Sequence, residues 1–258
     1  MAKRTTQDPE DLLYPDSDGK PIADSTLQFE WIVKLYENLS AQYYDDPNVL
    51  VVADLLWYAM HGQPTECTAP DTLVIFGRPK GHRGSYRQWR EDGVAPQVVF
   101  EVLSPIGTTE EMDSKFAFYE RHKVEEYYLY DPERAELFGW LRRGRRLKAI
   151  APIDGWISPR LKIRFDLSGD KLVIFTTDGE RFLTFVEKFE QVREAERDNE
   201  MAQRQLIRAK RQREKAEDVQ RNTEAIQQKI ERMKAELRKH GVDPDKLTDN
   251  DTKKNGQG

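Results

Sequence analysis

The chain has 258 residues, of which 38% are hydrophobic and 34% are charged, and its formal net charge is −5. Its single cysteine, Cys67, excludes an internal disulfide framework and fits a reducing compartment. The first 20 residues lack the apolar stretch of a signal peptide, and no apolar run approaches the roughly 18 residues that span a bilayer. We therefore expect a soluble, cytoplasmic protein without a membrane partner.

The charge is unevenly distributed along the chain. Residues 187–240 hold 15 basic and 12 acidic residues and contain neither Gly nor Pro, whereas residues 1–186 carry a net charge of −7. An acidic domain of this kind is not a broadly electropositive nucleic-acid binder. Any binding of DNA would need a local basic patch or metal ions to offset the repulsion.

The N-terminal half predicts an arm, a helix and three strands. Residues 1–25 are rich in Asp, Pro, Ser and Gly and are interpreted as a partly ordered arm. An apolar stripe at helical spacing follows a Ser25 or Thr26 cap and predicts the first helix. A strand from residue 48, broken near Asp54, and a second strand over 71–77 come next. The third, "QVVFEVL", is apolar at nearly every position, which predicts a central, doubly buried strand.

The rest of the domain completes a mixed sheet. Thr108 and Glu111 form a capping-box pattern for a helix over 109–122. A strand ending in Asp-Pro follows, and then hairpin strands with Gly-containing turns extend to residue 186. The predicted fold class is α/β (α+β), with a mixed sheet flanked by helices over 26–186 and a long helix after it.

The long helix over 187–240 carries a coiled-coil seam near its end. Its apolar residues step by 4, 3 and 4 through Ile226, Ile230, Met233 and Leu237. Earlier positions of the same register are small or polar, and Leu206 and Ile207 fall off it. The pattern favours a homo-oligomer formed through this helix, and a solvated single helix is the alternative. Gly241 is the predicted C-cap, and 241–258 is predicted to be a disordered tail.

Three residues suggest chemistry: Asp71, Glu101 and Lys115. Asp71 begins one short apolar strand and Glu101 lies toward the end of another, so adjacent strands would bring two carboxylates together. Hard oxygen ligands suit Mg²⁺ or Mn²⁺, and an ionised carboxylate in an apolar strand is costly unless it is paired or ligated. Lys115 falls at the edge of the apolar face of its helix. Each residue alone has an ordinary structural explanation, but the three together favour a site.

The order of "APDTLVIFG", "VVFEVLSP" and "SKFAFYERHKVEEYYLYDP" resembles the Uma-two family of the PD-(D/E)XK nuclease superfamily. The resemblance covers about residues 25–186 and implies a restriction-endonuclease-like core that cleaves DNA with Mg²⁺ or Mn²⁺. It implies that Asp71, Glu101 and a backbone carbonyl near Val102 hold the metal. Lys115 would then orient a water or stabilise the charge that develops on phosphorus.

The chain departs from the superfamily pattern at several positions. The residue two after Glu101 is Leu103 rather than lysine, so the resemblance implies that Lys115 supplies the ammonium from the following helix. Gln97 stands where relatives usually carry aspartate, which would weaken a site that relies on three acids. Glu30 or Glu37 could supply an auxiliary acid from the first helix, although surface charge is the simpler interpretation.

A basic loop over 77–96 has two interpretations. In the first, the loop contacts a phosphate backbone. In the second, it is a solvated loop whose aromatic residues pack on the core. The loop contains Arg78, Lys80, His82, Arg83, Tyr86, Arg87, Trp89 and Arg90. For the whole chain, the first hypothesis is a DNA endonuclease that assembles through its C-terminal helix. The second is a catalytically weak nuclease-fold scaffold that acts through coiled-coil interactions.

Overall fold

A computed structural model describes residues 9–244 of the chain. Residues 1–8 of the predicted arm and 245–258 of the predicted tail lie outside the described residues. The α-helices of this described part are α1 (Pro9–Leu13), α2 (Thr26–Gln42), α3 (Thr109–Arg121) and α4 (Phe185–Lys239). The strands are β1 (Val49–Ala53), β2 (Trp57–Tyr58), β3 (Cys67–Thr68), β4 (Thr72–Phe76), β5 (Tyr86–Arg87), β6 (Val98–Val102), β7 (Glu126–Asp131), β8 (Glu136–Arg143), β9 (Arg146–Ala149), β10 (Arg164–Asp166) and β11 (Val173–Phe175).

The main sheet has six strands in the order β1-β4-β6-β7-β8-β9. Strands β6 and β7 are parallel and are joined by α3, while the other neighbouring pairs are antiparallel. Strand β6 is buried at all five positions, which confirms the central place that its continuous apolar sequence predicts. The predicted fold class, a mixed sheet flanked by helices and followed by a long helix, is confirmed.

Each face of the sheet carries its own hydrophobic core. On one face, Trp31 and Leu35 of α2 pack with Phe100 and Val102 of β6, together with the β10–β11 pair. On the other face, residues of α3 and of β4, β6 and β7 pack together. Alternate residues of β6 therefore point toward different helices, so that one strand can connect α2 with α3.

The predicted helix caps are confirmed. The Ser25 side chain accepts a hydrogen bond from the Gln28 amide, and the Thr108 side chain accepts one from the Glu111 amide. The C-terminal end of α3 is closed by a residue from another element, Arg142 of β8. Its guanidinium donates to the carbonyl oxygens of Val124, Tyr119 and Glu120 at 2.7, 3.2 and 2.7 Å. This arginine fixes α3 to the β8–β9 hairpin.

A small three-stranded sheet, β3-β2-β5, lies beside the main one. Tyr14, from the segment predicted to be a partly ordered arm, is 2% exposed and packs with Tyr58 and Leu56. Arg87 of β5 donates to the Tyr14 carbonyl oxygen at 2.8 Å. This part of the arm is therefore built into the folded body.

The prediction of a last strand that extends to residue 186 is wrong. Residues 181–184 contribute only an isolated bridge between Phe175 and Arg181, and α4 begins at Phe185. The reason is a capping box that the strand pattern conceals. The Thr184 hydroxyl accepts a hydrogen bond from the Glu187 amide, and the Glu187 carboxylate accepts one from the Thr184 amide.

The chain divides into two compact units, Met1–Lys188 and Phe189–Gly258. In the described part of the second unit, no residue of α4 is buried. Gly241 adopts φ +76°, and the Val242 amide donates to the Leu237 carbonyl oxygen at 3.0 Å, which confirms the predicted helix termination. None of the helices within residues 9–244 is long and apolar enough to cross a membrane.

Candidate active site

The two acids predicted from the sequence occupy opposed positions on neighbouring strands. In the antiparallel β4–β6 pair, Thr72 lies opposite Phe100, so the next positions outward are Asp71 and Glu101. Side chains alternate along a strand, and both acids lie two residues from members of the core that packs beneath α3. Asp71 and Glu101 therefore belong to the same face of the sheet, the face that α3 covers.

Glu101 is held by two donors from α3. Lys115 Nζ lies 2.7 Å from Glu101 Oε2, and the Tyr119 hydroxyl donates to Glu101 Oε1. The Glu101 side chain is 2% exposed and that of Lys115 is 18% exposed. Burying a carboxylate this deeply is tolerated because both of its oxygens are hydrogen-bonded and its charge is paired. Tyr119, which no sequence motif singles out, is a part of the site.

Asp71 is less well compensated than Glu101. It is 8% exposed, and its Oδ2 accepts a hydrogen bond from the Val102 amide at 2.6 Å. Burial raises the pKa of Asp71 well above the ordinary value, and the Glu101 carboxylate raises it further. Lys115 and the Val102 amide oppose these effects without cancelling them. An additional positive charge near Asp71 would therefore favour its ionised form.

Lys115 keeps its proton in this environment. Burial alone would lower its pKa, but the nearby Glu101 and Asp71 carboxylates, together with the hydrogen bond to Glu101, raise the pKa above the ordinary value. The pair of acids therefore holds an ammonium ion in the cluster. Asp71, Glu101 and Lys115, which are distant along the chain, come together here.

Helix α2 reaches the site from the opposite face of the sheet through Gln28. This side chain is 7% exposed, and its Nε2 donates to the Val102 carbonyl oxygen at 3.0 Å. Neither Glu30 nor Glu37 makes a hydrogen bond or ion pair to the acidic cluster within the described residues. The α2 side chain that binds Val102 is thus a neutral amide. A signal was present, because Gln28 is a polar residue on the apolar stripe, three positions before Trp31.

Gln97 lies outside the site. It precedes Glu101 by four residues, about 13 Å along an extended strand. Its Oε1 accepts a hydrogen bond from the Phe76 amide at 2.7 Å, and its Nε2 donates to the Phe76 carbonyl oxygen at 3.4 Å. A carboxylate could accept but not donate here, so the amide bridges β4 and β6. This departure from the family pattern removes no ligand from the Asp71–Glu101 pair.

Most of the basic loop is committed to internal contacts. Arg78 and Arg83 both bind Glu91. Arg87 is 6% exposed and pairs with Asp11 at 2.8 Å. Arg90 pairs with Glu10, Tyr86 is fully buried, and Trp89 packs near Tyr14. The structure favours the interpretation in which the aromatic residues pack on the core, and it leaves few of these cations for a phosphate backbone.

The donor set fits a hard divalent cation. Within residues 9–244, no group of three or more His, Cys, Asp or Glu side chains is arranged to hold a metal ion. The candidate ligands are instead two carboxylates and the Val102 carbonyl oxygen, and such oxygen donors are those that Mg²⁺ and Mn²⁺ prefer. Asp71 Oδ1 and the second lone pair of the Val102 oxygen remain available. The raised pKa of Asp71 is consistent with a place for added positive charge.

Comparison with known proteins identifies the family of the chain. Residues 14–167, more than half of the chain, match the family model Uma2, described as "Putative restriction endonuclease". The chain therefore belongs to this family, as its motifs predict. A solved structure of "a putative nuclease belonging to DUF820 from Anabaena variabilis ATCC 29413" is similar with a TM-score of 0.40 and 14% identity, over 52% of this chain and 72% of that one. No curated protein matches the chain.

Proposed function

We propose that this protein is a Mg²⁺- or Mn²⁺-dependent DNA endonuclease of the PD-(D/E)XK type. The observation that carries the proposal is the convergence of Asp71, Glu101 and Lys115 in one nearly buried cluster. Membership of the Uma2 family supports hydrolysis of a DNA phosphodiester. Asp71, Glu101 and Lys115 are the proposed catalytic residues, and the endonuclease is proposed to act as a homo-oligomer through residues 187–240.

Asp71, Glu101 and the carbonyl oxygen of Val102 would hold the cation. When bound, a divalent cation supplies Lewis-acid polarisation of the phosphoryl oxygen and lowers the pKa of a coordinated water. The protein fixes the ligands beforehand. Gln28 orients the Val102 carbonyl, while the Val102 amide orients Asp71. Such preorganisation reduces the rearrangement that binding would otherwise require.

Lys115 provides the protein's own positive charge at the reacting phosphate. Its ammonium has three donors, and Glu101 occupies one of them. The remaining donors can bind a phosphate oxygen and stabilise the negative charge that develops as the phosphodiester is attacked. Tyr119 retains its proton, because burial and the neighbouring Glu101 raise its pKa well above the ordinary value. It therefore continues to anchor Glu101 during catalysis.

Plasmid nicking tests the proposal. Wild-type protein should nick supercoiled DNA with Mg²⁺ or Mn²⁺ and stop when EDTA is added. Glu101→Gln and Lys115→Met should reduce the rate by about 100-fold or more. Glu136→Gln and Lys148→Met are matched controls at exposed positions and should cut normally. Intact DNA under conditions in which a control nuclease cuts, or full activity in both site variants, would contradict the proposal.

A second candidate function is a nuclease-fold scaffold that acts through residues 187–240. The observation in its favour is that Lys115 and Tyr119 already satisfy both oxygens of Glu101, so that this carboxylate is compensated without a cation. On this hypothesis, removing residues 187–258 abolishes the cellular role, while Asp71→Ala leaves it intact. The opposite pattern would favour the endonuclease.

A further inference from the structure

One segment of the first unit is exposed but held at both ends: residues 15–24, here called the strap. It connects the buried Tyr14 to the start of α2, and every residue from 15 to 22 is exposed. Ala23 packs against the core, but the exposed part of the strap before it can move without breaking that core. Its contacts therefore decide whether it is a passive linker.

The first end of the strap is fixed to the small sheet. Tyr14 packs against Tyr58 and Trp89, with ring centroids 5.2 and 4.7 Å apart. The Tyr58 hydroxyl donates to the Pro15 carbonyl oxygen at 2.8 Å, and the Ser85 hydroxyl donates to Asp16 Oδ1 at 2.8 Å. These contacts anchor the strap beside β2 and β5.

The second end is joined to the candidate site through Gln28. The Asp24 amide donates to Gln28 Oε1 at 2.9 Å, while Gln28 Nε2 donates to the Val102 carbonyl oxygen. One amide side chain thus holds both the end of the strap and a proposed metal ligand. A change in the strap near Asp24 is transmitted directly to this carbonyl.

Between its ends, the strap has neighbours on both sides of the acidic cluster. On one side, Asp18 is close enough to the Asp54 carboxylate to influence it, and the Asp54 amide donates to the Asp71 carbonyl oxygen at 3.3 Å. On the other side, Lys20 Nζ lies 3.9 Å from Glu111 Oε1, one turn before Lys115 on α3. The strap therefore runs from the small sheet past the first turn of α3, the helix that carries Lys115, before it reaches α2.

The middle of the strap is weakly held. Lys20 and Glu111 have side chains that are 73% and 45% exposed, and an ion pair in water at this separation contributes little. Asp18 and Asp54 carry charges of the same sign and oppose closure. Asp71, Glu101 and Lys115 are only 8%, 2% and 18% exposed, so a DNA strand has no open route to them while the neighbouring segments stay in place.

We infer that the strap is a displaceable, autoinhibitory cover of the active site, and that DNA reaches Lys115 and Asp71 only after the strap has moved. The inference rests on the proposed endonuclease function and adds a control of access to it. Asp18 strengthens the inhibition, because a closed strap places a carboxylate in the path of an anionic substrate. Displacing the strap removes both the steric and the electrostatic barrier.

The test uses Cys67, the single cysteine of the chain, as a probe that needs neither metal nor DNA. Cys67 is half-buried and pairs in the small sheet with Tyr58, whose hydroxyl binds Pro15 of the strap. The loosened variant is Lys20→Ala combined with Pro21→Gly, and the control is Lys171→Ala, at an exposed position elsewhere. We expect a neutral disulfide reagent to label Cys67 about fivefold faster in the loosened variant than in the wild type or the control.

Plasmid nicking by the same proteins completes the test. Faster labelling together with faster nicking supports the autoinhibitory cover. Unchanged labelling overturns it, whatever the nicking shows. Faster labelling with slower or unchanged nicking by an active protein overturns the autoinhibition. Faster labelling when no form of the protein cuts DNA supports the cover and counts against the endonuclease proposal alone.

Discussion

Lys115 and Tyr119, four residues apart on α3, donate to different oxygens of the same carboxylate, that of Glu101. Spacing of four residues places two side chains on one face of a helix, one turn apart. The arrangement joins α3 to the strand that precedes it at a single acid. It also places the ammonium of a helix lysine against a carboxylate of the strand.

Replacing Tyr119 by Phe should separate the anchoring role of its hydroxyl from the packing of its ring. The variant loses a hydrogen bond to a charged, buried group, which costs about 1.5–3 kcal/mol of unfolding free energy. Tyr127→Phe is the matched control, because the Tyr127 hydroxyl is buried without a hydrogen-bond partner in the described part of the chain. Loss of the Tyr127 hydroxyl should leave the unfolding free energy unchanged or increase it. Urea denaturation of both variants checks this, and equal destabilisation would contradict it.

Asp71→Asn should make the protein more stable at neutral pH. A carboxyl with a raised folded-state pKa binds more protons in the native state than in the unfolded state. The unfolding free energy therefore falls as the pH rises from the ordinary value of 3.8 through the raised one. Asparagine does not titrate, so the unfolding free energy of the variant does not fall for this reason. Urea denaturation in EDTA between pH 4 and pH 8 should show the unfolding free energies of the two proteins diverging as the pH rises. Parallel pH profiles would contradict a raised pKa of Asp71 in the folded protein.

Divalent cations should stabilise the wild type but not Asp71→Asn. A ligand that binds only the native state at 100 times its Kd adds about 2.7 kcal/mol to the unfolding free energy. The ion would also offset the cost of burying a charged Asp71, so the unfolding free energy of the wild type should increase most near neutral pH. Thermal unfolding with and without Mn²⁺ measures the effect. Equal stabilisation of both proteins would place the ion elsewhere.

Gln28→Leu should weaken Mn²⁺ binding while leaving both proposed metal-binding carboxylates in place. The substitution removes the donor to the Val102 carbonyl and the acceptor for the Asp24 amide. Two groups then lose their partners, with a cost of about 1–3 kcal/mol each where they remain buried. Glu30→Gln, at an exposed position of the same helix, is the control. Titration calorimetry with Mn²⁺ should distinguish the two variants, and equal affinities would remove Gln28 from the site.

Self-association through residues 187–240 remains a prediction with a matched test. Ile226 and Ile230 lie on the predicted seam and are 60% and 46% exposed, whereas Ile207 lies off it and is 51% exposed. Ile226→Asn with Ile230→Asn should convert an oligomer to a monomer, because asparagine cannot fill an apolar seam at these paired positions. Ile207→Asn should leave the mass unchanged. Light scattering measures the mass of the wild type and of both variants. A monomeric wild type would contradict self-association.

The sequence predicts those parts of the fold and site that depend on residues close together along the chain. Ser25 and Thr108 cap their helices because a side-chain oxygen meets an amide three residues away. The break near Asp54 appears as a left-handed residue, with φ +47°, between β1 and β2. Asp71 and Glu101 could be paired because each lies at one end of an apolar strand.

The parts that the sequence does not predict depend on contacts between distant segments. Strands β2, β3 and β5 have two residues each, too few for alternation to be visible. Tyr14 is a single aromatic residue in a polar segment, and its burial depends on Tyr58 and Trp89. The approach of Gln28 to Val102 requires α2 and β6 to be already packed, since 74 residues separate them.

Arg142 extends the consequences of this packing to the far end of α3. It binds the backbone carbonyl of Tyr119, whose hydroxyl holds Glu101, so the same tyrosine is clamped from the hairpin and from the acid. The β8–β9 hairpin is thereby linked to Glu101 through one tyrosine. A displacement of this hairpin would therefore shift the end of α3 and, through Tyr119, the position of Glu101.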